Sequence, residues 1–203
     1  MKKQKLLGVE KLQDNKHLKF YKAKYQTDDI ERDYYFASRH NKKDLAVNNK
    51  FVKPTAIEAI TYYEEGDHIY VVMIKEFRSA LGKYVYSFPA GLIEEGEDIG
   101  QAFEREIYEE IGAETLKVKL LQTYPMPMCA GMTDEANFIA LTRVGKPDKQ
   151  HLEPTEDIEV AVFKFEELVT KVMGNELPLT MTGYLGYLAL YKEILASALR
   201  QGE

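Results

Sequence analysis

The chain has 203 residues, 45% of them hydrophobic and 30% charged, with a net charge of -6. This length carries one substantial domain plus an appendage, and the acidic balance argues against nucleic-acid backbone binding as the main role. Cys129 is the single cysteine and cannot form an internal disulfide, and no apolar run approaches the roughly 18 residues of a membrane span, so a reducing cytoplasm without membrane contact is the expected home.

At the start, Lys2, Lys3 and Lys5 are followed by Glu10 and Lys11 before any signal-peptide hydrophobic region develops. Alternation over Leu18 to Tyr25 and Asp33 to Arg39 predicts strands joined by a polar turn around Thr27, Asp28 and Asp29. Residues 1–48 are expected to form a small N-terminal antiparallel β appendage, and residues 49–203 the main domain. A basic, polar stretch from Arg39 to Asp44, followed by Asn48, Asn49 and Lys50, separates the two. Tyr21, Tyr25, Tyr34, Tyr35 and Phe36, in a segment too short to build its own core, predict a homodimer contact. Next comes a hairpin, Ala56 to Tyr63 and His68 to Phe77, turning at Glu65-Gly66-Asp67. Tyr84 to Phe88 is a short strand leading into Pro89-Ala90-Gly91. A helix is predicted over Gln101 to Ile111, then strands at Leu116 to Tyr124 and Ala136 to Val144 linked by a loop from Pro125 to Glu135. Ile158 to Phe163 reads as a strand, and Glu166 to Met173 and Thr180 to Leu199 as helices. This order predicts an α/β sandwich, with helices covering both sides of a mixed sheet.

Chemistry concentrates in Gly91 to Ala113, GLIEEGEDIGQAFEREIYEEIGA. Its spacing is G-x5-E-x7-R-E-U-x-E-E-x-G-U, with U an apolar residue, and a chance match to the seven fixed letters is on the order of one in 10^8 at average residue usage. On a helix, Glu106, Glu109 and Glu110 stand at i, i+3 and i+4 and project from one face, while Phe103, Ile107 and Ile111 line the adjacent, core-packing face. Like charges so spaced destabilise a helix by about 0.2–0.5 kcal/mol per pair, a cost that a bound cation removes. Hard cations such as Mg2+ prefer carboxylate oxygen and bridge substrate phosphates. Arg105, four residues before Glu109, is placed to orient or neutralise part of the cluster. Asp98 with Gln101 predicts a capping box, Gly112 a left-handed helix end, and Gly91 and Gly96 a tight loop ahead of the helix.

The pattern resembles the Nudix box of hydrolases that act on a nucleoside diphosphate linked to another moiety. The resemblance implies a Nudix-type α/β/α sandwich over about residues 50–200. Lys75-Glu76-Phe77-Arg78, Phe88-Pro89-Ala90-Gly91-Leu92-Ile93-Glu94, Pro127 fifteen residues past Gly112, and the run from Ala130 to Glu135 are similar to the ADP-ribose pyrophosphatase branch. Ala113 is smaller than the usual aliphatic, Ser87 stands where that branch commonly has Glu, and Ala130 replaces a proline, so other nucleoside diphosphate sugars stay open. By resemblance, Glu106 and Glu110 are the principal ligands of Mg2+, with Mn2+ as a substitute. Glu109 shares the cluster and the Ala90 carbonyl completes it. The catalytic set is Glu135, as general base or its partner in positioning water, with Glu109 and Arg105. On the substrate side, Arg78 is the phosphate clamp, and Glu97 orders the box loop. The implied reaction splits ADP-ribose or a related small-molecule substrate into AMP and a sugar phosphate. Two rival readings are a catalytically silent nucleotide-binding or sensor domain and a house-cleaning nucleoside triphosphate pyrophosphatase. Intact Arg105, Glu106, Glu109 and Glu110 argue against the first, the appendage and Pro127 against the second. His17, His40, His68 and His151 are scattered and have no assigned role.

Overall fold

The structure is a computed structural model that describes residues 3–201, so residues 1–2 and 202–203, at the outer ends of the two expected domains, lie outside the described residues. In chain order the strands are β1 (Gln4–Asp14), β2 (Lys19–Thr27), β3 (Ile30–Ser38), β4 (Ala56–Glu65), β5 (His68–Arg78) and β6 (Lys83–Ser87). They continue with β7 (Ala90–Leu92), β8 (Thr115–Leu120), β9 (Met126–Pro127), β10 (Ala136–Val144) and β11 (Ile158–Lys164). The helices are α1 (Ile99–Ile111), α2 (Phe165–Met173) and α3 (Met181–Gln201).

Two compact units emerge, one of them holding the chain up to Ala56 together with Tyr124–Phe138. Its sheet runs β1-β2-β3, antiparallel throughout. Thr27 pairs with Ile30, which leaves Asp28-Asp29 as a two-residue turn, and Asp28 adopts the φ of 52° that such a turn demands. β1 breaks the alternation that marks its neighbours. Register shifts between Leu6 and Gly8 and between Lys11 and Gln13 change which residues face inward.

This unit has its own core of Val9, Tyr21, Ala23, Phe36 and Leu45, which corrects the expectation that the segment is too short to build one. The physical reason is a loop borrowed from far along the chain. The Ala37 N–H donates to the Met132 carbonyl at 2.9 Å, the Tyr34 hydroxyl to the Gly131 carbonyl at 2.7 Å, and the Ala46 N–H to the Asp134 carboxylate at 3.1 Å. The unit therefore extends to Ala56, beyond residue 48, and takes in the segment before β10. Of the aromatic residues expected at a dimer contact, Tyr21 and Phe36 are buried and stack at 5.6 Å, while exposed Tyr35 stacks on Phe20.

The second unit, Ile57–Thr123 with the chain from Ile139 onward, holds the large sheet. Its order is β11-β5-β4-β10-β8, with β6 on β5 and β7 on β4. β4 and β5 form the predicted hairpin, Glu65 pairing with His68 across Gly66 at φ 62°. Alternation along β5 sends Val71 and Met73 to one face and Val72 and Ile74 to the other, and all four are buried, so both faces need cover. On the first face, Ile60, Val71, Met73 and Phe88 cluster with Leu168 of α2 and with Tyr187 and Leu190 of α3. α1, with Phe103, Ile107 and Ile111 buried, covers the other through β7, β8 and β11. The result is the expected three-layer sandwich. Thr180 starts α3, its hydroxyl accepting from the Gly183 N–H at 2.9 Å.

Candidate active site

Two caps fix the position of α1. The Asp98 carboxylate accepts from the Gln101 N–H at 3.0 Å and the Gln101 side chain accepts from the Asp98 N–H at 3.0 Å, the predicted capping box. At the far end Gly112 takes φ 64° and donates to the Tyr108 carbonyl. A Cβ at Gly112 would also lie 2.7 Å from the Asp148 carbonyl oxygen, so conformation and space both demand glycine.

The acidic face of α1 lies against β7. Gly96 supplies the loop's left-handed turn at φ 85°, but Gly91 serves a different need from the tight loop that its spacing suggested. A Cβ on Gly91 would coincide with the Glu106 carboxylate, so the missing side chain lets that carboxylate rest on the backbone of β7. Glu110 accepts a hydrogen bond from the Ala90 N–H at 3.0 Å.

Arg105 ties the cluster together with all five of its N–H groups. Nε and Nη2 hold the two oxygens of Glu97 at 2.8 and 2.9 Å, and Nη2 also donates to the Leu92 carbonyl at 2.8 Å. Nη1 donates to Glu106 at 2.7 Å and to Glu109 at 3.2 Å. Glu97 also accepts from the Glu94 N–H at 2.9 Å, so its carboxylate is committed to Arg105 and the box loop, and the Arg105 bonds hold it below the usual carboxylate range.

Glu106 and Glu110 are only 7% and 4% exposed. Burial pushes the Glu110 carboxyl well above its ordinary value, the charge of Glu106 adds to this, and the Ala90 N–H offsets part of it. Burial likewise raises Glu106, against the pull of Arg105. Two buried carboxyls that resist ionisation, in a cluster whose potential ligand atoms are all hard oxygens, match in type what Mg2+ or Mn2+ requires. Among the described residues no three His, Cys, Asp or Glu side chains are already gathered round one point suited to a metal. Arg105 supplies the positive charge in the arrangement seen.

These groups open on a cleft of about 690 Å³ whose lining includes eight glutamates and two arginines. Arg78, nearly half exposed, pairs there with Glu76 at 2.8 Å. Glu76, Glu153 and Glu156 line the same cleft and were not singled out from the sequence. Glu76 was in principle readable, because residues two apart on a strand share a face and it stands two before Arg78. Glu153 and Glu156 lie in a polar turn with no periodic signal, the Glu153 N–H donating to Glu156 at 2.8 Å. Negative charge on Glu156 contributes to the upward shifts of Glu76, Glu106 and Glu110. Glu135 belongs to the first unit, where its carboxylate lies 3.7 Å from Arg39 Nε.

Known proteins resemble this chain in sequence and in fold. A Caenorhabditis elegans protein whose name assigns it to the nudix hydrolases is 31% identical over 133 residues, 62% of this chain and 59% of that relative's length. The ADP-ribose pyrophosphatase of Bacillus subtilis (strain 168) is 29% identical over 147 residues, 70% of this chain and 76% of the relative. A solved structure titled as an ADP compounds hydrolase superposes with a TM-score of 0.71 at 18% identity, covering 98% of this chain and 97% of that one, and shows the same fold. The family model of the NUDIX domain matches residues 52–181, more than half of the chain, which therefore belongs to the NUDIX domain family.

Proposed function

We propose that this protein hydrolyses, with a divalent cation, the diphosphate bond of ADP-ribose or a related nucleoside diphosphate sugar, releasing AMP or another nucleoside monophosphate and a sugar phosphate. One observation carries the reading: buried Glu106 and Glu110 rest against the backbone of Ala90 and Gly91 at the wall of a cleft of about 690 Å³. The names of the Bacillus subtilis relative and of the solved structure support an ADP-linked substrate. In the first unit, Tyr25, Arg32, Tyr34 and Phe36 line a pocket of its own, about 430 Å³ and largely apolar.

Glu106, Glu110, Glu109 and the Ala90 carbonyl would hold Mg2+, or Mn2+ in its place. Such a cation, when bound, polarises diphosphate oxygens and acidifies water. Arg105 keeps Glu106 and Glu109 aligned, and Glu97 keeps Arg105 and the loop from Glu94 in place at the edge of the substrate site. Arg78 meets a phosphate oxygen with its planar donors. Water adds to phosphorus, the bridging P–O bond breaks, and the water proton passes to a carboxylate. The loop resemblance assigns that proton to Glu135. A second reading, favoured by the cleft itself, assigns it to exposed Glu156.

A homodimer contact is proposed for the outer face of the β1-β2-β3 sheet, where Phe20 and Tyr35 are exposed. The lone cysteine supports a reducing cytoplasm, and no helix among the described residues is long and apolar enough to cross a membrane. The test is turnover of ADP-ribose, sugar nucleotides, dinucleoside polyphosphates and nucleoside triphosphates with Mg2+, with products identified. AMP and ribose 5-phosphate from ADP-ribose are expected. Cleavage of nucleoside triphosphates alone would overturn the proposal in favour of a house-cleaning enzyme, and tight nucleotide binding without any turnover would leave a sensor.

A further inference from the structure

α3 is apolar on two opposite sides. At about 100° per residue, Tyr187, Leu190 and Ile194 turn toward the sheet, where they join or pack against the core. Met181, Leu185, Leu188, Lys192, Leu195 and Leu199 fall in a narrow stripe on the other side, and its five apolar members are 41% to 75% exposed. The sheet needs only the first stripe.

The second stripe has the spacing of a pairing seam, alternating four and three residues from Met181 to Leu199. It is also symmetric about Leu190. Set antiparallel against a second copy, with the twofold axis at that point, Met181 meets Leu199, Leu185 meets Leu195, and Leu188 meets Lys192. Every apolar seam residue then finds an apolar side chain or the aliphatic stem of Lys192. A parallel pair in register would instead set Lys192 against Lys192, two like charges in an apolar seam. From these fractional exposures the stripe presents on the order of 500 Å² per copy, so full coverage in a pair would bury about 1,000 Å², the threshold of a specific interface.

We propose that α3 is a self-association surface, its outer stripe pairing antiparallel with α3 of a second copy of this chain. This surface is separate from the one proposed on the β1-β2-β3 sheet, and it does not depend on the substrate reading.

Sedimentation velocity of the full chain, from about 1 to about 100 μM, tests it. Wild type should show, in that range, a concentration-dependent association step beyond any order the sheet contact sets, Leu188→Glu should lose that step with unchanged circular dichroism, and Lys192→Leu should tighten it several-fold. In a Cys129→Ser background, mild oxidation should cross-link Leu185→Cys/Leu195→Cys into a covalent dimer but leave Leu185→Cys alone uncross-linked. A wild type without an added association step up to about 100 μM overturns the proposal, as does a step indifferent to both Leu188→Glu and Lys192→Leu, which would be formed elsewhere. Cross-linking of Leu185→Cys alone overturns the antiparallel register. Binding of the wild type to anionic lipid vesicles without self-association would assign the stripe to a membrane surface instead. Should Leu188→Glu fail to fold, the Lys192→Leu and cysteine variants still decide.

Discussion

Glu58 shows how far one buried residue departs from its type. It stands in β4 among Ala56, Ile57, Ala59 and Ile60, is 3% exposed, and its Oε1 has no hydrogen-bond partner. Burial pushes its carboxyl up to about 7, with Thr182 and the charge of Arg78 pulling the other way. The folded chain thus keeps a proton here that the unfolded chain loses near pH 4.5, so this residue's contribution to stability falls as pH rises from there to about 7, by on the order of 3 kcal/mol. Glu58→Gln should therefore leave stability nearly unchanged at pH 5 and raise it at pH 8, read by urea unfolding at both. Equal effects at the two pH values would refute an ionisation cost at Glu58. Gly91 gives a second residue-scale prediction: Gly91→Ala should displace the Glu106 carboxylate and lower kcat at least about 100-fold while circular dichroism stays native, since a misplacement near 1 Å costs that much. Activity within a few-fold of wild type would mean that Glu106 has room to move. The box carboxylates were legible because helix periodicity dictates which residues share a face. The use of all five Arg105 donors was not, because Glu97 and Leu92 approach Arg105 through loop and strand geometry that spacing does not encode.

Elements with a regular period were read and irregular ones were missed. The β4–β5 hairpin and α1 with its caps show in the sequence because alternation, turn glycine and capping residues agree. β1 was lost to two bulges, β7 to its three-residue length after a proline, and β9 to its two residues. The extent of the first unit was hidden for another reason: its core is closed by hydrogen bonds to residues 131–134, nearly a hundred positions from Tyr34. Local pattern cannot register that. At α1 the two caps are expected to differ in strength. Asp98→Ala loses one side-chain acceptor and should cost about 1 kcal/mol. Gly112→Ala pays for a left-handed β-carbon and for the clash with the Asp148 carbonyl, and should cost about 2 kcal/mol or more. Chemical denaturation of both variants checks the order, and a reversed ranking would show that the helix end relaxes around a side chain.

At the scale of the whole molecule, the proposed reaction sets a net charge of -6 and a cleft rich in glutamate against an anionic diphosphate. Burial of Glu106 and Glu110 makes their ionisation unfavourable, a cost that a bound cation would lift on that reading. Both carboxyls titrate above their unfolded values, so between about pH 4.5 and the raised folded values the folded chain holds more protons, and stability without metal should decline as pH rises through that window. A divalent cation that binds only the folded, deprotonated pair works in the opposite sense. It adds about 2.7 kcal/mol at a hundredfold excess over its Kd, and it competes with fewer protons as pH rises. The rise in Tm on adding Mg2+ should therefore be small at pH 5, larger at pH 7 and largest at pH 8. In Glu106→Gln/Glu110→Gln the Mg2+ effect should vanish at every pH. A thermal-shift series with Mg2+ against EDTA reads this directly, without any substrate. A metal effect that is independent of pH, or that survives in the double variant, would place the cation on other carboxylates of the cleft, with Glu76, Glu153 and Glu156 the first to test.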